Sequence, residues 1–366
     1  MATVRLNIDG KRIKVREGAS ILEAGEANGI GIPTLCHIKG QLPTGACRIC
    51  VVEVVGSKGL VGACHTPVAE GMIVRTQSPK VVEARKIIIE LMLTAHAGVC
   101  VNDPDAENCL LHNLASDYEV GAPRFNVRAP RYYPVEETNR YVLRDLSKCI
   151  LCRKCVKACA DMAGENILSI GYRGFTSKVI TGFDESLNSE VCRDCGICVE
   201  HCPTGALSAS VEAKQQDREY RPASKEAPSV LDGRAELLPL LKQEVNKKGF
   251  ISKEAMFRVA EQTGLPLNEV YGVSTFYSCL PVSKTGRNVI RICKCLPCEL
   301  RGARAIVDRI QEELEIGPGG VTVDGKFSLE LVGCIGACDQ APAMMINDRL
   351  YGNLTQDRIA EILKSY

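Results

Sequence analysis

The chain has 366 residues, 45% of them hydrophobic and 24% charged, which suits two or three soluble domains with cores of their own. Lys and Arg (45) balance Asp and Glu (44) at a net charge of +1, there is no Trp, and aromatics make up 5%. That balance speaks against nucleic-acid binding, a polybasic membrane anchor or a stacking platform for single strands, and it leaves twenty cysteines to explain.

The N-terminus, MATVRLNIDGKRIKV, lacks the apolar stretch of a signal peptide. The longest apolar run, Lys86–Leu93, is too short and too charged to span a bilayer. A cytoplasmic, reducing location follows as the expectation, and there thiols serve as metal ligands more often than as disulfides.

Val4, Leu6 and Ile8 alternate before Asp9-Gly10, and Ile13 and Val15 follow, which predicts a hairpin. Ser20-Ile-Leu-Glu23 reads as a capping box opening a helix to about Asn28. Cys50–Val55 alternates again, so residues 1–78 read as a β-grasp unit. Val81–Leu93 has helical periodicity and opens a small, mostly helical segment at 79–140. Residues 141–211 hold two cysteine runs separated by a strand-like stretch, Ile167–Ile180. Glu212–Ser229 is polar and patternless, and reads as a linker (212–230) or else a surface helix. Leu237–Val245 and Lys253–Gln262 form a helical lead-in over 231–285. Strands at Val289–Cys293, Ser328–Val332 and Met344–Ile346, with helices at Ala303–Leu314 and Thr355–Leu363, give a βαββα domain over 286–366. The fold class is α+β, in several domains.

The first cysteine set is Cys36, Cys47, Cys50 and Cys64 around the tight loop Gly45-Ala-Cys-Arg-Ile-Cys50. Four thiolates satisfy a [2Fe–2S] cluster, and zinc is the alternative. The stretch IPTLCHIKGQLPTGACRICVVEV with GACHTPV resembles the N-terminal ferredoxin domain of the large iron–sulfur subunit of respiratory complex I. The same module opens many [FeFe] hydrogenases and NAD-linked formate dehydrogenases, and the resemblance runs over residues 1–210.

That resemblance implies a second site, one His and three Cys spaced H-x3-C-x2-C-x5-C around a [4Fe–4S] cluster. His96, Cys100 and Cys109 fall on the spacing, with Asp103 at the third position. A carboxylate carries the same single charge as a thiolate but is a harder donor. The favoured ligand set is His96, Cys100, Asp103 and Cys109. An empty site, a cluster with one open iron, and His112 in place of Asp103 are the alternatives.

Cys149-x2-Cys152-x2-Cys155-x3-Cys159 and Cys192-x2-Cys195-x2-Cys198-x3-Cys202-Pro203 form the run of a bacterial two-cluster ferredoxin, in which the fourth cysteine of each run ligates the other cluster. One [4Fe–4S] is therefore assigned to Cys149, Cys152, Cys155 and Cys202, the other to Cys192, Cys195, Cys198 and Cys159. Ala160 stands where the first run usually has Pro. The fifth set is Cys293-x4-Cys298 with Cys334-x3-Cys338. Residues 235–366, with VYGVSTFYS and CIGACDQAPAMMIND, resemble the thioredoxin-like [2Fe–2S] component of complex I and of electron-bifurcating hydrogenases. A thioredoxin-type redox role is set aside for want of C-x-x-C at the right strand–helix junction, with Cys295-Leu-Pro-Cys298 as the nearest candidate. Cys295 and Cys279 are read as spare thiols, and His37, His65 and His201 as shielding beside cluster cysteines.

Neither a dinucleotide fingerprint, a Walker A loop nor a nucleophile elbow is present, and the motifs that hold a hydrogen-forming cluster are missing. The expectation is an electron relay with two [2Fe–2S] and three [4Fe–4S] clusters and no substrate site of its own. The resemblance implies a flavoprotein partner carrying FMN and NAD(H). It also implies a second catalytic subunit of transhydrogenase, hydrogenase or formate dehydrogenase type, and exchange with soluble ferredoxin in a bifurcating complex. A peripheral-arm subunit of complex I, an iron–sulfur sensor and a zinc scaffold are the rival readings.

Overall fold

The computed structural model describes residues 2–96, 109–125, 131–210, 213 and 233–366. The chain divides into two compact units, Met1–Val230 with Pro266–Gly272, and Leu231–Leu265 with Val273–Tyr366.

In the first unit, β1 (Thr3–Ile8) and β2 (Lys11–Arg16) pair as an antiparallel hairpin. Asp9 and Gly10 both take positive φ at its turn, and the Asp9 carboxylate accepts from the Thr76 amide (2.7 Å) and hydroxyl. Ser20 and Glu23 make the reciprocal capping box that opens α1 (Ile21–Ala27). With β3 (Val51–Val54), β4 (Val61–Gly62) and β5 (Ile73–Arg75) the sheet order is β2-β1-β5-β3-β4. Only β1 and β5 run parallel among these pairs. The alternating Leu6, Ile8 and Ile13 meet Ile21 and Leu22 of α1 in the core beneath the sheet.

Two helices follow, α2 (Pro79–His96) and α3 (Leu110–Asp117). The cysteine-rich segment begins with β6 (Val142–Arg144) and α4 (Lys154–Lys157), which runs on into a π turn, Ala158–Met162. It continues through β7 (Ser169–Gly171), β8 (Lys178–Ile180), α5 (Ile197–Glu200) and β9 (Leu207–Ala209). β6 pairs with β9, and β7 with β8, both antiparallel. The stretch Ile167–Ile180 is thus a hairpin and not one strand. Its closure needs Gly171, where a Cβ would sit 2.7 Å from Ile180 Cδ1.

Past residue 232 the chain forms α6 (Arg234–Lys248), α7 (Lys253–Thr263) and α8 (Leu267–Phe276). Then come β10 (Asn288–Cys293), α9 (Leu296–Leu300), α10 (Ala303–Leu314), β11 (Phe327–Val332), β12 (Met344–Ile346), β13 (Arg349–Tyr351) and α11 (Gln356–Lys364). The sheet order is β11-β10-β12-β13, parallel between β10 and β11 and antiparallel elsewhere. Ile306 and Ile310 of α10 and Ile359 and Ile362 of α11 cover Ile290, Leu329 and Ile346. The expected βαββα order is present, with α9 and β13 added. All but residue 213 of the proposed linker 212–230 lies outside the described residues. Among the described residues, no helix is long and apolar enough to cross a membrane.

Arg144 is 2% exposed and is clamped by both oxygens of Glu136, at 2.6 and 2.9 Å. This pins the segment before β6 onto the β6–β9 pair. Removing one partner of a buried ion pair strands the other charge. Glu136→Ala is expected to destabilise the first unit by about 3 kcal/mol, read by denaturant unfolding, although the backbone bridge from Glu136 to Arg144 remains.

Candidate metal centres

Cys36, Cys47, Cys50 and Cys64 lie around the loop that leads into β3 and the turn that leaves β4, and all four are buried. Gly45 and Arg48, both at positive φ, wrap the loop so that the Cys47 amide donates to Cys36 Sγ at 3.4 Å. The thiols pair off. A hydrogen bond from Cys47 holds Cys36 down to about 5, and one from Cys64 holds Cys50 down to about 6; the two donors are correspondingly raised. His65 Nδ1 lies 3.5 Å from Cys64 Sγ. Gly62 makes room for that ring, since a Cβ there would come within 2.3 Å of it. A cleft of about 510 Å³ runs along this edge, with His37, Cys64 and His65 in its wall.

His96 ends α2 and Cys109 caps the start of α3, each 2% exposed. His96 Nε2 and Cys109 Sγ are 3.5 Å apart. Cys100 and Asp103 lie outside the described residues. The amide of Leu110, next to Cys109, donates to the Pro203 carbonyl at 2.7 Å, which ties this site to the residue after Cys202. His112 lies one turn further along α3.

The two cysteine runs fold as near-copies. In each, the residue before the short helix is left-handed, Arg153 before α4 and Gly196 before α5. Cys149 Sγ accepts from the Leu151 amide and Cys192 Sγ from the Asp194 amide, both at 3.4 Å. The last cysteine of each run accepts from further on, Cys159 from Ile167 (3.3 Å) and Cys202 from Leu207 (3.4 Å).

A small cavity of about 20 Å³ has Cys149, Cys152, Cys155 and Cys202 in its wall, with apolar Ile150 and Val179 beside them. Burial pushes Cys152 up to about 12 and lifts Cys155 further, helped by the charges of Cys149, Cys152, Cys202 and, from the other set, Cys198. Cys198 is raised by burial and by Cys192, Cys159 and Cys195, and burial pushes Cys192 up to about 11. Cys149, Cys152, Cys155 and Cys202 thus line one cavity, while Cys192, Cys159 and Cys195 act on Cys198.

In the second unit Cys293 ends β10 and Cys298 lies on α9, both buried, while Cys334 and Cys338 follow β11 and are exposed. The Cys334 and Cys338 sulfurs are 3.6 Å apart, and the Gly336 amide donates to Cys334 Sγ at 3.4 Å. Burial raises the Cys293 thiol, but the Cys295 amide and the Cys298 thiol outweigh it and leave Cys293 lowered. Cys295 is not an isolated spare thiol. It is raised first by desolvation, then by the charge and thiol of Cys293 and by those of Cys334, so it lies among the set. It also caps α9 two residues past β10. Cys295-Leu-Pro-Cys298 therefore does occupy a strand–helix junction, contrary to the expectation that none held a C-x-x-C. Its signal in the sequence is the unusual C-x-C, Cys293-Lys-Cys295.

Four of the donor sets fit iron–sulfur clusters chemically: four thiols each, buried in part or whole except at Cys334 and Cys338, with backbone amides aimed at sulfur. Among the described residues, no three of His, Cys, Asp and Glu form a group that could hold a single metal ion.

Three families match separate parts of the chain: a 2Fe-2S iron–sulfur cluster binding domain at residues 1–79, a 4Fe-4S dicluster domain at 148–206, and a thioredoxin-like [2Fe-2S] ferredoxin at 223–366. NADP-reducing hydrogenase subunit HndD of Solidesulfovibrio fructosivorans is 36% identical over 212 residues, 57% of this chain and 36% of that protein. This chain thus spans about a third of that relative's length. An NADH-quinone oxidoreductase subunit of Pseudomonas aeruginosa is 38% identical over 135 residues, 37% of this chain and 81% of that protein. A chain of an NAD+-reducing [NiFe]-hydrogenase in its H2-reduced state superposes with a TM-score of 0.51 at 27% identity, covering 59% of this chain and 91% of that one.

Alkylation follows exposure and thiolate character. In the reduced, iron-free protein, Cys279, Cys334 and Cys338, the exposed thiols among the described residues, are expected to react with iodoacetamide about tenfold or more faster than Cys152 and Cys155, as read by mass spectrometry of timed digests.

Proposed function

The chain belongs to the family of the Pseudomonas aeruginosa NADH-quinone oxidoreductase subunit, to which it joins iron–sulfur domains of the kinds found in complex I and hydrogenase subunits, and from that premise we propose that it is the electron-relay subunit of a flavin-dependent, NAD(P)-linked oxidoreductase complex. The observation that carries this reading is the cavity whose wall combines Cys149, Cys152 and Cys155 of one run with Cys202 of the other. Together with the C-x2-C-x2-C-x3-C spacing, that crossing is what two adjacent [4Fe–4S] clusters require.

In this reading Cys36, Cys47, Cys50 and Cys64 hold one [2Fe–2S], and Cys293, Cys298, Cys334 and Cys338 the other. Two [4Fe–4S] clusters take the crossed sets, and a third takes His96, Cys100, Asp103 and Cys109. Bound clusters supply one-electron storage. The protein supplies thiolates, amide hydrogen bonds to sulfur, and apolar walls that exclude water. Residues 1–78 serve as a β-grasp ferredoxin, 79–140 as the His/Cys module, 141–211 as the two-cluster ferredoxin, and 286–366 as the thioredoxin-like domain behind its lead-in.

The partner we assign is a flavoprotein with FMN and NAD(H), together with a second catalytic subunit of transhydrogenase, hydrogenase or formate dehydrogenase type, in the cytoplasm. Flavin-based bifurcation with soluble ferredoxin is the arrangement we favour. The likeness to the Pseudomonas aeruginosa protein supports a peripheral arm of complex I as a second reading, and the identity of co-purifying subunits separates the two.

Purified without air, the chain is expected to carry about 16 iron atoms, or about 12 if the His96 site is empty, by iron assay against protein. Cys149→Ala and Cys202→Ala are expected to abolish the same [4Fe–4S] signal in electron paramagnetic resonance and to remove about four irons each. Signals lost from two different clusters would refute the crossing, and a colourless, zinc-loaded protein would refute the relay.

A further inference from the structure

Helix α2 buries Val81, Arg85, Ile89, Glu90 and His96 along its length, and Glu90 is taken by Arg124. Ile89 shares one apolar cluster with Cys36, Cys47 and Cys109. One turn earlier, Arg85 has no exposure at all. Its Nη2 donates to the carbonyl of Val51, the residue after Cys50, and its Nη1 to the hydroxyl of Tyr118, both at 2.8 Å. Tyr118 closes α3, whose first residue follows Cys109. The Nε of Arg85 has no hydrogen-bond partner.

Both of Arg85's partners are therefore neutral. A buried guanidinium without a carboxylate is strongly unfavourable, and the other fully buried arginine among this unit's described residues, Arg144, shows the usual remedy, held by Glu136. What stands beside Arg85 is the cysteine loop. A [2Fe–2S] group with four thiolates is negative in both oxidation states, and one unit more so when reduced. A fixed positive charge in a region closed to water acts on that difference with little screening.

We propose that Arg85 is the built-in countercharge of the N-terminal [2Fe–2S] site, a positioning residue that raises the cluster's reduction potential by favouring its reduced form. This rests on the ligand assignment of Cys36, Cys47, Cys50 and Cys64 given above. The cluster's negative charge in turn makes the burial of Arg85 tolerable, so iron loading and the seating of α2 against β3 support each other.

The test is a redox titration of the full chain followed by electron paramagnetic resonance, at matched iron content. Arg85→Met is expected to shift the midpoint of the N-terminal [2Fe–2S] signal to more negative potential, and Arg85→Lys is expected to stay nearer the parent. Tyr118→Phe, which removes an acceptor and keeps the charge, is expected to leave the midpoint in place. The C-terminal [2Fe–2S] signal serves as the internal standard and stays unmoved in all three. Should Arg85→Met fail to hold iron, Arg85→Gln against Arg85→Lys gives the same comparison. An unmoved midpoint on loss of the charge, or an equal shift in Tyr118→Phe, overturns the proposal while leaving the cluster assignment intact. A parent chain without the N-terminal signal overturns both.

Discussion

A thiol removed from water resists ionising, yet iron takes only the thiolate. Most of the described cysteines are removed from water: Cys36, Cys47, Cys50, Cys64, Cys109, Cys152, Cys155, Cys159, Cys198, Cys293 and Cys298 are all buried, and burial is the first cause of the raised thiols in the two cysteine runs. Such a gathering of sulfur is unfavourable until something positive occupies its centre. Binding of a metal centre would offset the burial that raises these thiols, and so couple its loading to folding.

The backbone lowers that cost in one recurrent way. At three sites the amide two residues after a cysteine donates to its sulfur at 3.4 Å: Leu151 to Cys149, Asp194 to Cys192, and Gly336 to Cys334. In all three the donor residue has positive φ, at 56°, 57° and 83°. A left-handed residue after the cysteine curls the chain so that its N–H turns inward, the small anion-binding nest that successive amides can form. A leucine, an aspartate and a glycine fill the same role, so local conformation is imposed by the sulfur-centred loop and not by residue preference. For Leu151 that is an unfavourable backbone state, held by the structure around it.

Much of this is legible in the sequence because it is periodic or spaced. The alternation in Val4–Val15 sets the hairpin, Ser20 and Glu23 set the start of α1, and the C-x2-C-x2-C-x3 runs set both cages. What the sequence hides is long-range. Nothing in Ile167–Ile180 announces a reversal, since the turn Gly174–Thr176 is short and the closure depends on Ile180 passing over Gly171. The C-x-C of Cys293 and Cys295 is visible, but that Cys295 reaches Cys334 depends on β11 lying beside β10. Arg85 reads as one more cation on an amphipathic helix, and its burial exists only because β3 and α3 close over it. Pattern reveals what neighbours in sequence do; packing decides which charged side chains end up dry.

The first unit also decides how its sites can communicate. Cys36 and Cys47, Cys109 and Cys152 belong to a single apolar cluster, so the N-terminal loop, the His96 site and the first cage share one wall. Cys109 is bonded through Leu110 to Pro203, beside Cys202, and the charge of Cys198 in the second run is felt at Cys155 in the first. Ile38, two residues past Cys36, packs with Ala158 and Ile197, which brings the N-terminal loop against the helices of both cages as well. The sites therefore form a packed group and not a single file, joined by dry contacts that hold their separations fixed. Electron transfer depends steeply on separation, so in such a group the route is set less by connectivity than by the relative potentials of its members. Those potentials answer to charges such as Arg85 and to the hydrogen bonds that each sulfur receives. In the proposed relay, direction would come from the placement of charge in the interior, which a single side chain can change without moving a ligand.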